Sequence, residues 1–127
     1  LLTIDAQLNS RIFDAVPGNV SAGSFDMTLS GMTLTRGRTT GDDGQLSNET
    51  AESGGAVRFN SSGTLTIDAA AITDSETQGE DARGGGIFAE GDVTLTGSTV
   101  SGNSTEGASA VGGGISASNV TLTGSTV

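Results

Sequence analysis

This chain of 127 residues contains no cysteine, histidine, tryptophan, tyrosine or lysine, and a single proline. Each absence removes a class of chemistry. Without histidine or cysteine, neither a Ser-His-Asp nor a Cys-His nucleophilic centre can be assembled within it. Without cysteine no disulfide can staple it, which still leaves secretion open. Five arginines are the only cations against 15 acids, a net charge of −10, and this argues against binding a nucleic-acid backbone. No apolar run is long enough to span a bilayer, and no secretory leader is visible. Aromatic residues make up 3%, so a core must be aliphatic.

What is present is repetition. Gly84–Ser104 (GGGIFAEGDVTLTGSTVSGNS) returns as Gly112–Val127 (GGGISASNVTLTGSTV), and a looser copy occupies Gly54–Ser75. Ile87 to Ile115 and Leu65 to Val93 are each 28 residues, and Val93 to Val120 is 27. A fixed period of this size marks a repeat architecture in which no unit buries its apolar face alone. Within a unit Val93 and Leu95 alternate with Thr94 and Thr96, which is the two-residue period of a strand. No window carries a helical apolar stripe of useful length. Gly, Ser and Asn mark the corners. The pattern predicts an all-β chain, a right-handed parallel β-helix (β-solenoid) of about 27–28 residues and three short strands per coil.

Stacking the units tests that prediction. Met27, Leu65, Val93 and Val120 form one apolar column, and Leu29, Ile67, Leu95 and Leu122 a second. Leu34, Ile72, Val100 and Val127 form a third, and Val57, Ile87 and Ile115 a fourth. A slip of one residue would place Thr inside. The whole of 1–127 thus reads as one solenoid segment, with residues 35–53 as a corner loop that protrudes. Val120–Val127 repeats Val93–Val100, and Leu1–Ile4 is as apolar as the interior. The chain therefore reads as an excerpt of a longer polypeptide. Its β-stacking is expected to continue at both ends, into more of the same chain or into another subunit end to end.

These motifs, GGAV at Gly54–Val57, GGGI at Gly84–Ile87 and Gly112–Ile115, and VTLTGSTVSGN from Val93, carry a resemblance. The chain resembles right-handed parallel β-helix proteins of the pectin-lyase-like type. It is most similar to cell-surface proteins with polymorphic-outer-membrane-protein or autotransporter-like repeats, which carry GGA[ILV] and FxxN. Here VSGN stands at Val100–Asn103 in place of FxxN. Leu2–Val16 with Met27–Gly37 resembles the opening coils of such proteins. The resemblance implies an extracellular or cell-surface element that is structural or adhesive, with a carbohydrate or a host surface as its partner. It also implies an alternative, a polysaccharide lyase or hydrolase, because this fold hosts many functions.

For catalysis the remaining candidates are Arg36, Arg38, Asp42 and Asp43. A glycosidase needs two carboxyls held apart across the sugar, and adjacent acids between Gly41 and Gly44 read more simply as a solvated turn. No catalytic residue and no cofactor is assigned. Asp42, Asp43, Glu49 and Glu52 are the candidates for Ca²⁺, with Glu80 and Asp81 at an equivalent corner, but neither EF-hand nor nonapeptide spacing is present. Thr28, Thr66, Thr94 and Thr121 form an outward column that suits an ice-binding array. Its neighbour, Ser30, Asp68, Thr96 and Thr123, is broken by Asp68, and Thr is in any case suited to a strand's solvent face. Five of six asparagines begin an N-x-[ST] sequon: Asn19, Asn48, Asn60, Asn103 and Asn119. This points to a glycosylated surface protein, while Asn103 and Asn119 also fit as corner residues.

Overall fold

The computed structural model describes residues 1–17, 24–40 and 52–127. In chain order the strands are β1 (Leu2–Asp5), β2 (Phe13–Ala15), β3 (Met27–Ser30), β4 (Met32–Thr35) and β5 (Arg38–Thr39). They continue with β6 (Val57–Phe59), β7 (Thr64–Asp68), β8 (Ala71–Thr73), β9 (Glu76–Thr77) and β10 (Ile87–Ala89). The last five are β11 (Asp92–Thr96), β12 (Thr99–Ser101), β13 (Ser104–Thr105), β14 (Ile115–Ser116) and β15 (Asn119–Thr123). Four parallel sheets result: sheet A is β1-β4-β8-β12, sheet B β2-β6-β10-β14, sheet C β3-β7-β11-β15 and sheet D β5-β9-β13. The chain visits B, C, A and D in turn, so β2–β5, β6–β9 and β10–β13 are three successive coils. β14 and β15 begin a fourth, and β1 precedes the first. This is a parallel β-solenoid.

The apolar columns hold. Val93 lies between Leu65 and Val120 and Leu95 between Ile67 and Leu122, with Met27 and Leu29 below. Ile72 lies between Leu34 and Val100, and Ile87 between Val57 and Ile115. Leu65, Ile67, Ile72, Ile87 and Leu95 are wholly buried. Each such side chain stabilises the fold by about 1.5–3 kcal/mol relative to exposure. The columns reach one row further than the repeats suggest: Ile4 stacks under Leu34 and Phe13 under Val57. Buried Phe59 adds a ring, met edge-on by Phe25 at a centroid distance of 5.2 Å.

Two features differ from the sequence expectation. Each complete coil has a fourth, two-residue strand in sheet D. It leaves no apolar trace because its stacked inward residues are Thr39, Thr77 and Thr105, and Thr77 is fully buried. The stretch 35–53 is not all loop. Thr35 ends β4, Arg38–Thr39 is β5 paired with Glu76–Thr77, and Ser53 is buried. Residues 41–51, the rest of that stretch, lie outside the described residues.

Corners repeat as faithfully as strands. Between sheets C and A the chain turns through the left-handed region at Gly31, Ala69, Gly97 and Gly124, and between A and D at Arg36, Asp74 and Gly102. The glycine pairs of the GGx motif have a steric cause. Gly54 and Gly84 have φ of 73° and 64°, and a Cβ on them would run into the carbonyl oxygens of Val57 and Ile87. A Cβ on Gly55 would meet the Gly85 carbonyl of the next coil.

Candidate functional site

The polar side chains of the described wall mostly connect one coil with the next. The Arg58 guanidinium forks onto Asp14, with Nε 2.6 Å from Oδ1 and Nη2 2.7 Å from Oδ2. Asp14 and Arg58 are register partners on the outer face of sheet B. Arg11 donates to the carbonyls of Ser53 and Gly54, at 2.9 Å each, and sits 3.2 Å from Asp14. Burial lowers the Arg11 pKa below the usual guanidinium value, and the Arg58 charge adds to this, against the pull of Asp14. Burial pushes the Asp14 carboxyl up, but the bond and charge of Arg58 and Arg11 outweigh it and hold it below the ordinary value. These contacts escaped the sequence reading because they depend on aligning Phe13 with Val57 across unequal spacing. The i, i+3 placement of Arg11 and Asp14 was the available signal.

Of the four catalytic candidates, the two arginines bond different coils. Arg36 bonds Asp5 below it, while Arg38 turns to the coil above, 2.8 Å from Glu76 Oε1 and 2.6 Å from Gln78 Oε1. The bond from Arg36 lowers the Asp5 pKa. Asp42, Asp43 and Glu49 lie outside the described residues. Glu52 accepts a bond from the Thr39 hydroxyl at its backbone carbonyl. Glu80 is exposed and Asp81 takes a left-handed corner conformation. Among the described residues no three carboxylates gather into a group that could hold a metal ion.

The serine and asparagine corners form a second set of links. Ser98 Oγ accepts from Ala70 N and shares its single proton between the Thr96 carbonyl at 2.8 Å and the Ile67 carbonyl at 3.1 Å, and Ser125 Oγ caps Ser98 N in turn. Asn103 bridges to the coil below, its Oδ1 taking Ser75 N and its Nδ2 reaching Ile72 O, both at 2.9 Å. Asn60 donates to the Glu90 carboxylate at 2.6 and 2.8 Å. Asn119 donates to Asp92 at 2.7 Å in an exposed setting. Asn19 and Asn48 lie outside the described residues. The outward columns Thr28-Thr66-Thr94-Thr121 and Ser30-Asp68-Thr96-Thr123 are in register, and Asp68 interrupts the second.

One recess of about 490 Å³ lies along sheet B, lined by Arg83, Phe88, Glu90, Ser62, Ser116 and Ser118 among others. Glu90 is the one carboxylate lining it, so a paired acid and base for glycoside cleavage is not assembled by these lining residues. No helix of the described residues is long and apolar enough to cross a membrane. None of the protein-family models, curated proteins or solved structures compared with this chain matches it.

Proposed function

We propose that this chain is a structural or adhesive β-solenoid of the cell exterior, a stiff rod whose corners present the recognised surface. One observation carries the reading. Arg36, Arg38, Arg58, Asn60 and Asn103, side chains suited to chemistry, each bond a residue of a neighbouring coil. They hold coils in register and do not converge on a substrate-sized site. Strand stacking beyond β15 is part of the proposal. Val120 and Leu122 are 44% and 48% exposed, whereas Val93 and Leu95, one coil earlier, are buried.

Sedimentation and imaging test this. Purified chain is expected to form rods or fibres whose growth increases as salt screens the −10 charge, and to release nothing from an acidic polysaccharide. Asp42→Asn with Asp43→Asn should leave assembly unchanged. A stable monomer at high salt, or product release that the double substitution abolishes, would overturn the proposal in favour of a carbohydrate-active enzyme.

A further inference from the structure

We infer that Asn119 is an acceptor site for an N-linked glycan, whereas Asn60 and Asn103, which carry the same sequon, are coil-locking residues that a glycan would dislodge. This deepens the reading of the chain as an exterior element and rests on it for the setting in which the glycan is added.

Glycan transfer forms a bond between the asparagine Nδ2 and C1 of the first sugar. It breaks the C1–O bond to a lipid-linked pyrophosphate, which leaves with the electron pair, and one Nδ2 proton passes to a base of the transferase. The product amide keeps one N–H and gains a bulky, solvated substituent. A folded chain can carry it where Nδ2 faces open solvent.

Asn103 fails that condition. Both ends of its amide are bonded into the coil below, and it lies against the backbone of Gly86, where a Cβ would stand 3.0 Å from both its Cγ and its Nδ2. Its sequon hydroxyl, Thr105, stacks on buried Thr77. Asn60 is half-buried, with its amide held by Glu90 and its backbone N–H by Ala15 O. Asn119 also donates to a neighbouring carboxylate, but in an exposed setting. It stands outward at the start of β15, and Thr121, two residues on, shares its face. Its one bond goes to exposed Asp92, and the N–H that survives transfer can keep it. The exposure belongs to the column and not to the final strand. Asp92, its register partner, is exposed although β7 and β15 flank it on both sides.

The test is to secrete the full chain, behind an added leader, from a host that glycosylates N-x-[ST], and to digest the soluble folded product with a protease that cuts after glutamate. Cleavage at Glu52, Glu76, Glu90 and Glu106 places Asn60, Asn103 and Asn119 in separate peptides, Ser53–Glu76, Gly91–Glu106 and Gly107–Val127. Mass spectrometry is expected to find glycan on Gly107–Val127 and bare peptide at the other two. Asn119→Gln should remove that glycan and leave the melting temperature in place, whereas Asn103→Gln should lower the melting temperature and leave the glycan. Glycan on Asn60 or Asn103 in the folded product, or a bare Asn119, overturns the inference. Because the leader is supplied, either result is independent of whether the rod assembles or adheres, which is what would sink the surface reading.

Discussion

The first coil and the third share the same four sheets, yet different chemistry holds each in register. The first, with β1 beneath it, is tied by ion pairs: Arg36 to Asp5, Arg58 and Arg11 to Asp14, Arg38 to Glu76. The third is tied by hydroxyl and amide groups, Ser98 with Ser125, Asn103 with Ser75 and Ile72, and its Glu90 and Asp92 carboxylates accept from Asn60 and Asn119, above a core in which Val93, Leu95 and Val100 are buried. Exposed ion pairs contribute about 0–1 kcal/mol each and weaken with salt. Breaking a buried hydrogen bond leaves its partner unsatisfied, at a cost of about 1–3 kcal/mol. A regular coil can therefore rely on short bonds between partly buried side chains and backbone. An irregular one, whose connection from β2 to β3 is longer than its counterparts from β6 to β7 and β10 to β11, falls back on long charged side chains that can span unequal distances.

The strongest way to break the regular half is a charge in its core. Leu95→Asp places an unpaired carboxylate where exposure is 0%, which costs several kcal/mol, on the order of 3–5, and should prevent folding. Thr94→Asp, on the outer face of the same strand, should fold. Far-UV circular dichroism and denaturant titration separate the two, and equal tolerance would refute the register.

Acid should act on the other half. The Asp14 carboxyl is held below its ordinary value of 3.8 in the folded chain. The unfolded chain therefore binds its proton first as pH falls, and the stabilisation, full above that value, is lost as pH drops through the folded pKa. The side chain is 45% exposed, so after solvent screening the effect is at most about 1 kcal/mol. Hydrogen exchange should show amides of β2 losing protection below pH 3.8 before those of β11, and Asp14→Asn should flatten that dependence. Simultaneous loss in both strands would show that the two halves unfold as one unit.

The smallest effect sharpens the likeness between coils. Ala69 takes φ of 46° at a corner where Gly31, Gly97 and Gly124 stand in the other coils. Ala69→Gly relieves left-handed strain of about 1–2 kcal/mol, offset by about 0.5–1 kcal/mol of added chain entropy. A gain of a few tenths to 1 kcal/mol in a urea titration is expected, and a loss would mean that the Ala69 methyl packs usefully.

Repetition made the core legible. Val93, Leu95, Val100 and Ile87 could be placed because near-identical copies align with one single-residue gap, between Ile115 and Val120, and apolar alternation then fixes which way each side chain faces. Sheet D could not be read, since Glu76–Thr77 and Ser104–Thr105 carry no apolar signal and two residues show no period. The first coil's place was legible in Met27 and Leu29. It was obscured in Phe13 and Arg11, where long and unequal connections hide the alignment that pairs Asp14 with Arg58. Asn103 read equally as sequon or corner residue. Deciding between them needed the position of Ile72 O and Ser75 N one coil away, which no local pattern encodes.

The matched corner conformations have a consequence for how such a rod can lengthen. Asp74 and Gly102 occupy the same left-handed corner, 28 positions apart, with φ of 53° and 65°. A tandem copy of 75–102 inserted after Gly102 would meet at its seam the backbone geometry already found there. Every apolar column would advance one rung, and the rod would grow by about 4.8 Å, with the copied carboxylates, such as Asp92 now between Thr64 and Asn119, set beside their own copies as the new contact to accommodate. Length in this molecule can thus change by whole modules through copying alone, and a gene encoding it can vary its reach without first inventing a new core.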